Sequence, residues 1–531
     1  VNNKSKKSLA GIAGIVAFGT FISKIFGLVR EQIVAAAFGI GPVVDAYAYA
    51  YVIPGFLLIL LGGINGPFHS ALISALAKRK QKEAAPLIET VTTLVSCILV
   101  LVTIVLVVYA DKFIDLLAPG LEATIRDMAI IQLQIMAPLA IFAGLIGIGF
   151  GSLNASDIYW LPSISPLFSS LTIVIGVGAL LLFLGSQVST PEYIKLGSVI
   201  LAGTTLLGGI WQWAAQQMAQ IKSGISGLKL RFDWRTEGVS DVMKVMAPAT
   251  LSSGMLHINV YTDLYFASYI ENAAAAMRYA NFVVLTPLGI ISNMILVPFM
   301  PVFSRLASSE NWEELKQRIR QGLVLTALTM LPLTAIFMAL AEPIVKIIYE
   351  RGVFESSASA IVAPVLWAYG FGMFFYLGRD VLVRVFYALG DGNTPFKISI
   401  INIFLNAILD YVLVQRFATQ GLVFATIGVN VVSMIAMIVI LHKRLGGFPL
   451  KEWNTILAGL IVATVATGYG CYFSYELIFS LWGGDNLLLQ LINLCFASGI
   501  GVIVFFALSW QLKLPELTIL TNKIKAKISR S

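Results

Sequence analysis

Fourteen apolar runs follow one another along the chain, from residues 9–38 at the start to 487–512 near the end, each about a bilayer thick as a helix. Water is absent from a hydrocarbon core, so a spanning segment must satisfy its own backbone groups, and about 20 apolar residues in an α-helix do so. That constraint leaves one economical fold: an all-α polytopic membrane protein with fourteen transmembrane helices. Charge agrees. Only 12% of the 531 residues are Asp, Glu, Lys or Arg, half the share of about 25% found in soluble domains, and the mean hydropathy is +0.86. The net charge of +8 does not point to nucleic acid, because the basic residues gather in short loops between apolar runs.

Those loops set an expected orientation. Lys4, Lys6 and Lys7 precede the first run, and the loops on the same side carry Lys78, Arg79 and Lys80, then Lys229, Arg231 and Arg235, then Lys316, Arg318 and Arg320, then Lys443 and Arg444. Lys523, Lys525, Lys527 and Arg530 close the series, whereas the opposite loops hold few cations. The positive-inside bias places both termini in the cytoplasm. The first run is too long for a signal-peptide core, so it is expected to be a retained span. Cys97, Cys471 and Cys495 lie in apolar runs without paired spacing, which supports neither a disulfide framework nor a zinc site.

Charges inside the runs are the features that need a function. The stretch Ser23–Pro54 holds Lys24, Arg30, Glu31 and Asp45 among apolar residues. Each Lys, Arg or Asp at a helix centre costs roughly 2.5–3.5 kcal/mol on insertion scales, so such residues face a protein interior or a wet cavity. Lys24, Gly27 and Glu31 share one helical face at i, i+3 and i+7, with Ser23 and Arg30 on the adjacent one. A charged stripe notched by glycine reads as a pathway for something polar. The alternative, with Arg30 and Glu31 snorkelling from the outer end of the span, does not account for Lys24, which has apolar sequence on both sides.

An internal repeat organises the spans. Pro54 and Pro287 are 233 residues apart (287 − 54), Pro162 and Pro395 likewise (395 − 162), and Pro67 and Pro301 are 234 apart (301 − 67). Six helices per repeat keep both copies in one orientation, a parallel repeat about an axis along the membrane normal. The expected division is 1–225 for the first six-helix lobe, 236–446 for the second, and 447–531 for two additional helices with a basic tail. At the 233 offset Arg30 corresponds to Asp263 and Asp45 to Arg278, charges of opposite sign suited to a gate. Asp45 is expected to meet a cation (Lys24, Arg30 or Arg278) in one of two transport states.

The segment ISKIFGLVREQIVAAAFG, the following VDAYAYAYVIP and GPFHSALISAL, and the later VRVFYALGDGNTP resemble the lipid II flippases of the MurJ (MviN) family, within the multidrug/oligosaccharidyl-lipid/polysaccharide exporter superfamily. The similarity covers essentially the whole chain. It implies a transporter that carries lipid II from the cytoplasmic to the periplasmic leaflet of the bacterial inner membrane by alternating access, in partnership with membrane lipids and the peptidoglycan synthesis machinery. Arg30 and Glu31 match the family's Arg-acidic pair, Asp45 its acidic residue opening the second span, and Arg384 its tenth-span basic residue. Lys24 stands where many members have arginine, which keeps the charge and loses the bidentate fork. Two family arginines are missing, one after Pro54, where Leu58 and Ile59 stand, and one at Phe282. The substrate set is therefore Lys24, Arg30, Glu31 and Arg384, with Asp45 and Arg278 as the gate.

The second half also carries oxygen donors suited to a monovalent cation, with sodium the expected ion. Asn406 and Asp410 are i, i+4 on the eleventh span, Thr426 lies one turn after the Leu422 carbonyl, and Asp263 follows Asn259 by one turn. Hard cations take oxygen ligands. Asp263, Asn406, Asp410 and Thr426 match positions that form a sodium site in some family members. The alternative has Asp410 solvated near the outer face and Asp263 protonated or paired.

No cofactor is expected beyond that ion, and no enzyme. His69, His257 and His442 are scattered, without HExxH, GxSxG or Walker A sequences, His257 reads as a packed core residue, and Tyr47, Tyr49 and Tyr51 as packing. Gly390-Asp391-Gly392 is a turn signal. Two other transporter classes stay open, a flippase for another undecaprenyl-linked glycan and a cation-coupled drug exporter; a scaffold would have no use for the intramembrane charges.

Overall fold

The computed structural model describes residues 9–62, 67–76, 81–236, 238–244, 246, 250, 258–483 and 486–517. Among them there is no strand, and the fold is an all-α polytopic membrane protein. Ten helices are long and apolar enough to cross a membrane, eleven when one bent pair is joined. Part of the expected seventh span, Val242–Tyr269, lies outside the described residues, as do His257, the lysines of the N-terminal segment and of residues 78–80, and the basic tail.

Chain contacts divide the molecule into two units, Val1–Ala275 with Arg351–Glu355, and Ala276–Glu350 with Ser356–Ser531. This division records packing, whereas the lobes expected at 1–225, 236–446 and 447–531 describe internal symmetry. The two criteria address different properties.

The first unit contains α1 (Leu9–Phe38), α2 (Pro42–Gly62), α3 (Pro67–Leu76), α4 (Gln81–Val108), α5 (Ala110–Leu117), α6 (Ala123–Met136), α7 (Leu139–Ala155), α8 (Trp160–Ile164), α9 (Pro166–Leu184), α10 (Ile194–Lys222) and α11 (Ile258–Ala267). Proline punctuates them. Pro138 has no N–H to donate and its ring crowds the preceding turn, and here α6 and α7, one expected span, meet at 41°. Pro67 and Pro166 instead open helices, where a missing N–H costs nothing.

Small residues let these helices close on one another. A Cβ at Gly147 would collide with the Leu61 carbonyl oxygen, so α7 packs directly on the α2 backbone. Side-chain amides and hydroxyls join helices where apolar packing has no solvent to drive it. Gln216 Nε2 donates to Ser165 Oγ at 3.0 Å and Gln220 Nε2 to Ser152 Oγ at 2.8 Å. Tyr47 shares a 3.0 Å hydrogen bond with Thr205 and stacks on Tyr51, as its reading as packing anticipates. His69, half-buried, meets the Asn154 amide at 2.8 Å.

Residues 351–355, although flanked by the second unit's chain, attach to the end of α1 in the first. Val353 N donates to Ala36 O at 2.9 Å. Gly352 has φ +59°, and a Cβ there would strike that same carbonyl oxygen, so only glycine fits both the left-handed backbone and the close approach.

The second unit holds α12 (Ala273–Arg305) from Ala276 on, α13 (Trp312–Ala339), α14 (Ala341–Tyr349), α15 (Ser356–Ala388), α16 (Asn393–Arg444), α17 (Leu450–Trp482) and α18 (Leu487–Trp510). The two expected spans, 398–414 and 422–441, lie on either side of a break in the 52-residue α16, at Ala418, whose φ of 47° interrupts the helical path. Thr334 donates to the Gly370 carbonyl at 3.0 Å, tying α13 to α15. Arg320 of α13 reaches Glu452 on α17 at 3.1 Å and the buried Glu516 at 2.9 Å. The two C-terminal helices thus pack as part of this unit.

Candidate functional site

On α1 the charged stripe separates by burial. Lys24 is exposed, Arg30 half-buried and Glu31 buried to 1%. Arg30 donates through Nε at 3.0 Å and Nη2 at 2.7 Å, both to Glu31 Oε1. A carboxylate at that depth needs a cation, and its chain neighbour supplies one. Helical arithmetic put Lys24 and Glu31 on one face, yet Glu31 turns into the packed unit and only Lys24 presents its charge openly.

Asp45, in the first turn of α2 and 2% exposed, accepts a 2.9 Å hydrogen bond from the Ala275 amide. Ala275 lies in the first turn of α12, where unsatisfied N–H groups and the helix dipole favour a negative charge. In this state its partner is therefore a backbone amide rather than a side-chain cation. Arg278, one turn further along α12, is half-buried.

The tenth-span charge is richer than Arg384 alone. Arg384 is exposed on α15, and five residues before it Arg379 stands half-buried beside Asp380, Nη1 to Oδ1 3.9 Å. Arg379 and Asp380 belong with the charged spans although sequence reasoning passed over them. The signal is present in the sequence as an Arg-Asp pair within an apolar run.

Of the expected cation ligands, Asn406 and Asp410 are fully buried on α16, and Asn406 Nδ2 donates to Asp410 Oδ2 at 2.7 Å. Leu422 is buried and Thr426 half-buried on the same element, with the Thr426 carbonyl accepting from Asn430 at 2.7 Å. Asp263 and Asn259, both half-buried, lie one turn apart on α11 in the first unit. A carboxylate and an amide oxygen held in an apolar span suit a hard monovalent ion. Among the described residues no three His, Cys, Asp or Glu side chains are grouped to hold a metal, so an ion here would need amide, hydroxyl or carbonyl oxygens beside a carboxylate.

Bundled spans with charged side chains at intramembrane positions define the class: a multi-pass membrane transporter. The family profile described as Lipid II flippase MurJ matches residues 34–492. A Synechocystis protein described as a probable lipid II flippase MurJ is 60% identical over 529 residues, which cover 100% of this chain and 99% of that one. A Burkholderia cenocepacia lipid II flippase MurJ is 25% identical, over 84% of this chain and 86% of its own. The chain belongs to the MurJ family. Solved structures agree at the level of fold: an inward closed conformation of the lipid II flippase MurJ superposes with a TM-score of 0.72 at 22% identity, over 93% of this chain and 97% of that one. An inward-facing multidrug resistance MATE transporter of the MOP superfamily gives 0.64 at 16%, over 82% and 98%.

Proposed function

We propose that the chain moves lipid II, the undecaprenyl-pyrophosphate-linked disaccharide peptide, from the cytoplasmic to the periplasmic leaflet of the bacterial inner membrane by alternating access, with both termini cytoplasmic. The observation that carries this reading is the 60% identity, sustained over the whole length, to the Synechocystis protein described as a probable lipid II flippase. Lys24, Arg30 and Arg384 take the pyrophosphate, because a charge-assisted hydrogen bond to a desolvated anion is roughly twice as strong as a neutral one. Glu31 holds Arg30 in place. In the other transport state Asp45 exchanges its backbone partner for a cation, with Lys24, Arg30 and Arg278 as candidates. Transport is driven by a cation or by the membrane potential; the cation is sodium, with Asp263, Asn406, Asp410 and Thr426 as ligands and Asn259 and the Leu422 carbonyl as further donors. Proteins of peptidoglycan synthesis are the expected partners.

Complementation tests the function. Cells depleted of their own lipid II flippase should grow when this chain is expressed, and the Arg30→Ala variant should insert in the membrane without restoring growth. If the parent chain fails to rescue but restores export in a mutant lacking a flippase for another undecaprenyl-linked glycan, the substrate is that glycan. The missing family arginines at Leu58 and Phe282 make this the second reading.

A further inference from the structure

Between α10 and residue 236 the chain runs as a non-helical strap whose two faces differ. Gly227 N donates to Glu89 Oε1 at 3.0 Å, Arg231 Nε to Glu89 Oε2 at 2.6 Å, and Arg231 N to Thr93 Oγ1 at 3.1 Å. Glu89 is buried on α4, so one carboxylate holds both a backbone and a side-chain donor of the strap. Beyond it Asp233 closes a turn, accepting from the Arg235 amide at 3.1 Å and the Thr236 hydroxyl at 3.2 Å.

The other face is apolar and bare. Every second residue from Leu228 to Trp234 is large, apolar and open: Leu228 69%, Leu230 81%, Phe232 59% and Trp234 70% exposed. Single exposed apolar residues are ordinary, but a contiguous row marks a surface that something covers. Lys229, between the first two of them, and Arg235, just after the last, are also exposed. Among residues 222–235 there are four basic side chains (Lys222, Lys229, Arg231, Arg235) and one acid, Asp233, which the turn already uses.

Location decides what the cover is. The strap leaves α10, a spanning helix that ends at Lys222, and is fixed to Glu89 and Thr93, in the second and third turns past Ala84, where the apolar stretch of α4 begins. Two spans therefore place it at a bilayer surface. Trp and Phe favour that zone, and Lys or Arg beside them meet anionic headgroups. We propose that residues 228–234 form a membrane-surface strap: Leu228, Leu230, Phe232 and Trp234 enter the acyl boundary of an anionic phospholipid leaflet, while Lys229 and Arg235 contact the headgroup phosphates. The strap is independent of which lipid the protein transports.

The test uses the full chain with its three cysteines replaced by alanine and one nitroxide, at Leu230→Cys or Lys229→Cys, in nanodiscs. Both positions are exposed, and elution as a single species on gel filtration shows that each labelled protein is folded. In phosphatidylglycerol discs the label at 230 should be several-fold more accessible to oxygen, relative to a water-soluble nickel chelate, than the label at 229. The combined variant K229Q/R235Q, labelled at 230, should lose part of that preference. Equal nickel access at 230 and 229 would overturn the proposal by placing the strap in water. Shielding of 230 from both reagents would overturn it in favour of a covering protein surface. Insertion of the same depth in pure phosphatidylcholine discs would overturn the anionic-headgroup contact.

Discussion

Arg30 and Glu31, adjacent in the chain, form a chelated ion pair in which two guanidinium nitrogens share the single oxygen Glu31 Oε1 at 3.0 and 2.7 Å. The two partners are unequally buried, 24% against 1% exposed. The guanidinium keeps an open side if its partner is lost, whereas the carboxylate is enclosed by protein. The pair is therefore asymmetric in what each half risks.

That asymmetry predicts the order of three variants. Arg30→Ala removes the neighbouring cation from a buried carboxylate and should be the costlier single change, about 3 kcal/mol. Glu31→Gln leaves a half-exposed cation and should cost less, about 1–2 kcal/mol. Removing both charges, Arg30→Ala with Glu31→Gln, should be less destabilising than Arg30→Ala alone. Thermal unfolding of the purified variants in detergent gives the coupling by a double-mutant cycle; strictly additive effects would refute it.

At Asp45 the partner is a helix amide, so shape and charge contribute separately. Asp45→Asn keeps an acceptor oxygen for the Ala275 N–H and forfeits the interaction with the helix dipole, about 0.3–1 kcal/mol. Asp45→Ala removes the acceptor and leaves a buried amide unsatisfied, about 1–3 kcal/mol. The melting temperature should fall in the order parent, Asn, Ala. Equal losses in the two variants would mean that the hydrogen bond contributes nothing beyond the charge.

Sodium binding has a direct thermal readout. A ligand bound only to the native state raises its stability with concentration. Sodium chloride should raise the melting temperature above that in choline chloride at equal ionic strength, and Asp410→Asn and Asp263→Ala should each remove the difference. Melting curves that coincide in the two salts would rule the site out.

Asp391, in the loop between α15 and α16, gives a pH dependence of known sign. Burial alone would raise its carboxyl, but the Thr394 hydroxyl and amide and the Arg444 guanidinium outweigh it and hold the group below its ordinary 3.8. Thr394 N and Oγ1 lie at 3.0 and 2.8 Å, Arg444 Nη1 at 2.9 Å. A depressed folded value means that the contribution is complete above the unfolded value and disappears as pH falls through the folded one. Stability should therefore decline below about pH 4 in the parent, and Asp391→Asn should be less stable at neutral pH with a flatter acid limb. Identical acid limbs in the two proteins would exclude a role for this carboxylate.

The sequence by itself determined the class of fold, because a bilayer admits few solutions for so many apolar runs. It marked the turn at Gly390 to Gly392. It also placed the costly charges, since Lys24, Arg30 and Asp45 are visible as exceptions to an apolar pattern. The break between the spans 398–414 and 422–441 was legible, but not that Ala418 makes it, since an alanine at φ 47° carries no local signature. Nor was the division of the α1 stripe, since helical periodicity gives relative directions and only the neighbouring helices decide which side is buried. The partner of Asp45 is a backbone amide 230 residues away, and a main-chain group has no side-chain identity for a pattern to reveal. The strap at 228–234 lies between these cases. Its alternation of apolar and charged residues stood in the sequence, where Lys229, Arg231 and Arg235 read only as topology signals. Only Glu89, reaching both Gly227 and Arg231 from another helix, shows which face is held to the protein and which is left for the membrane.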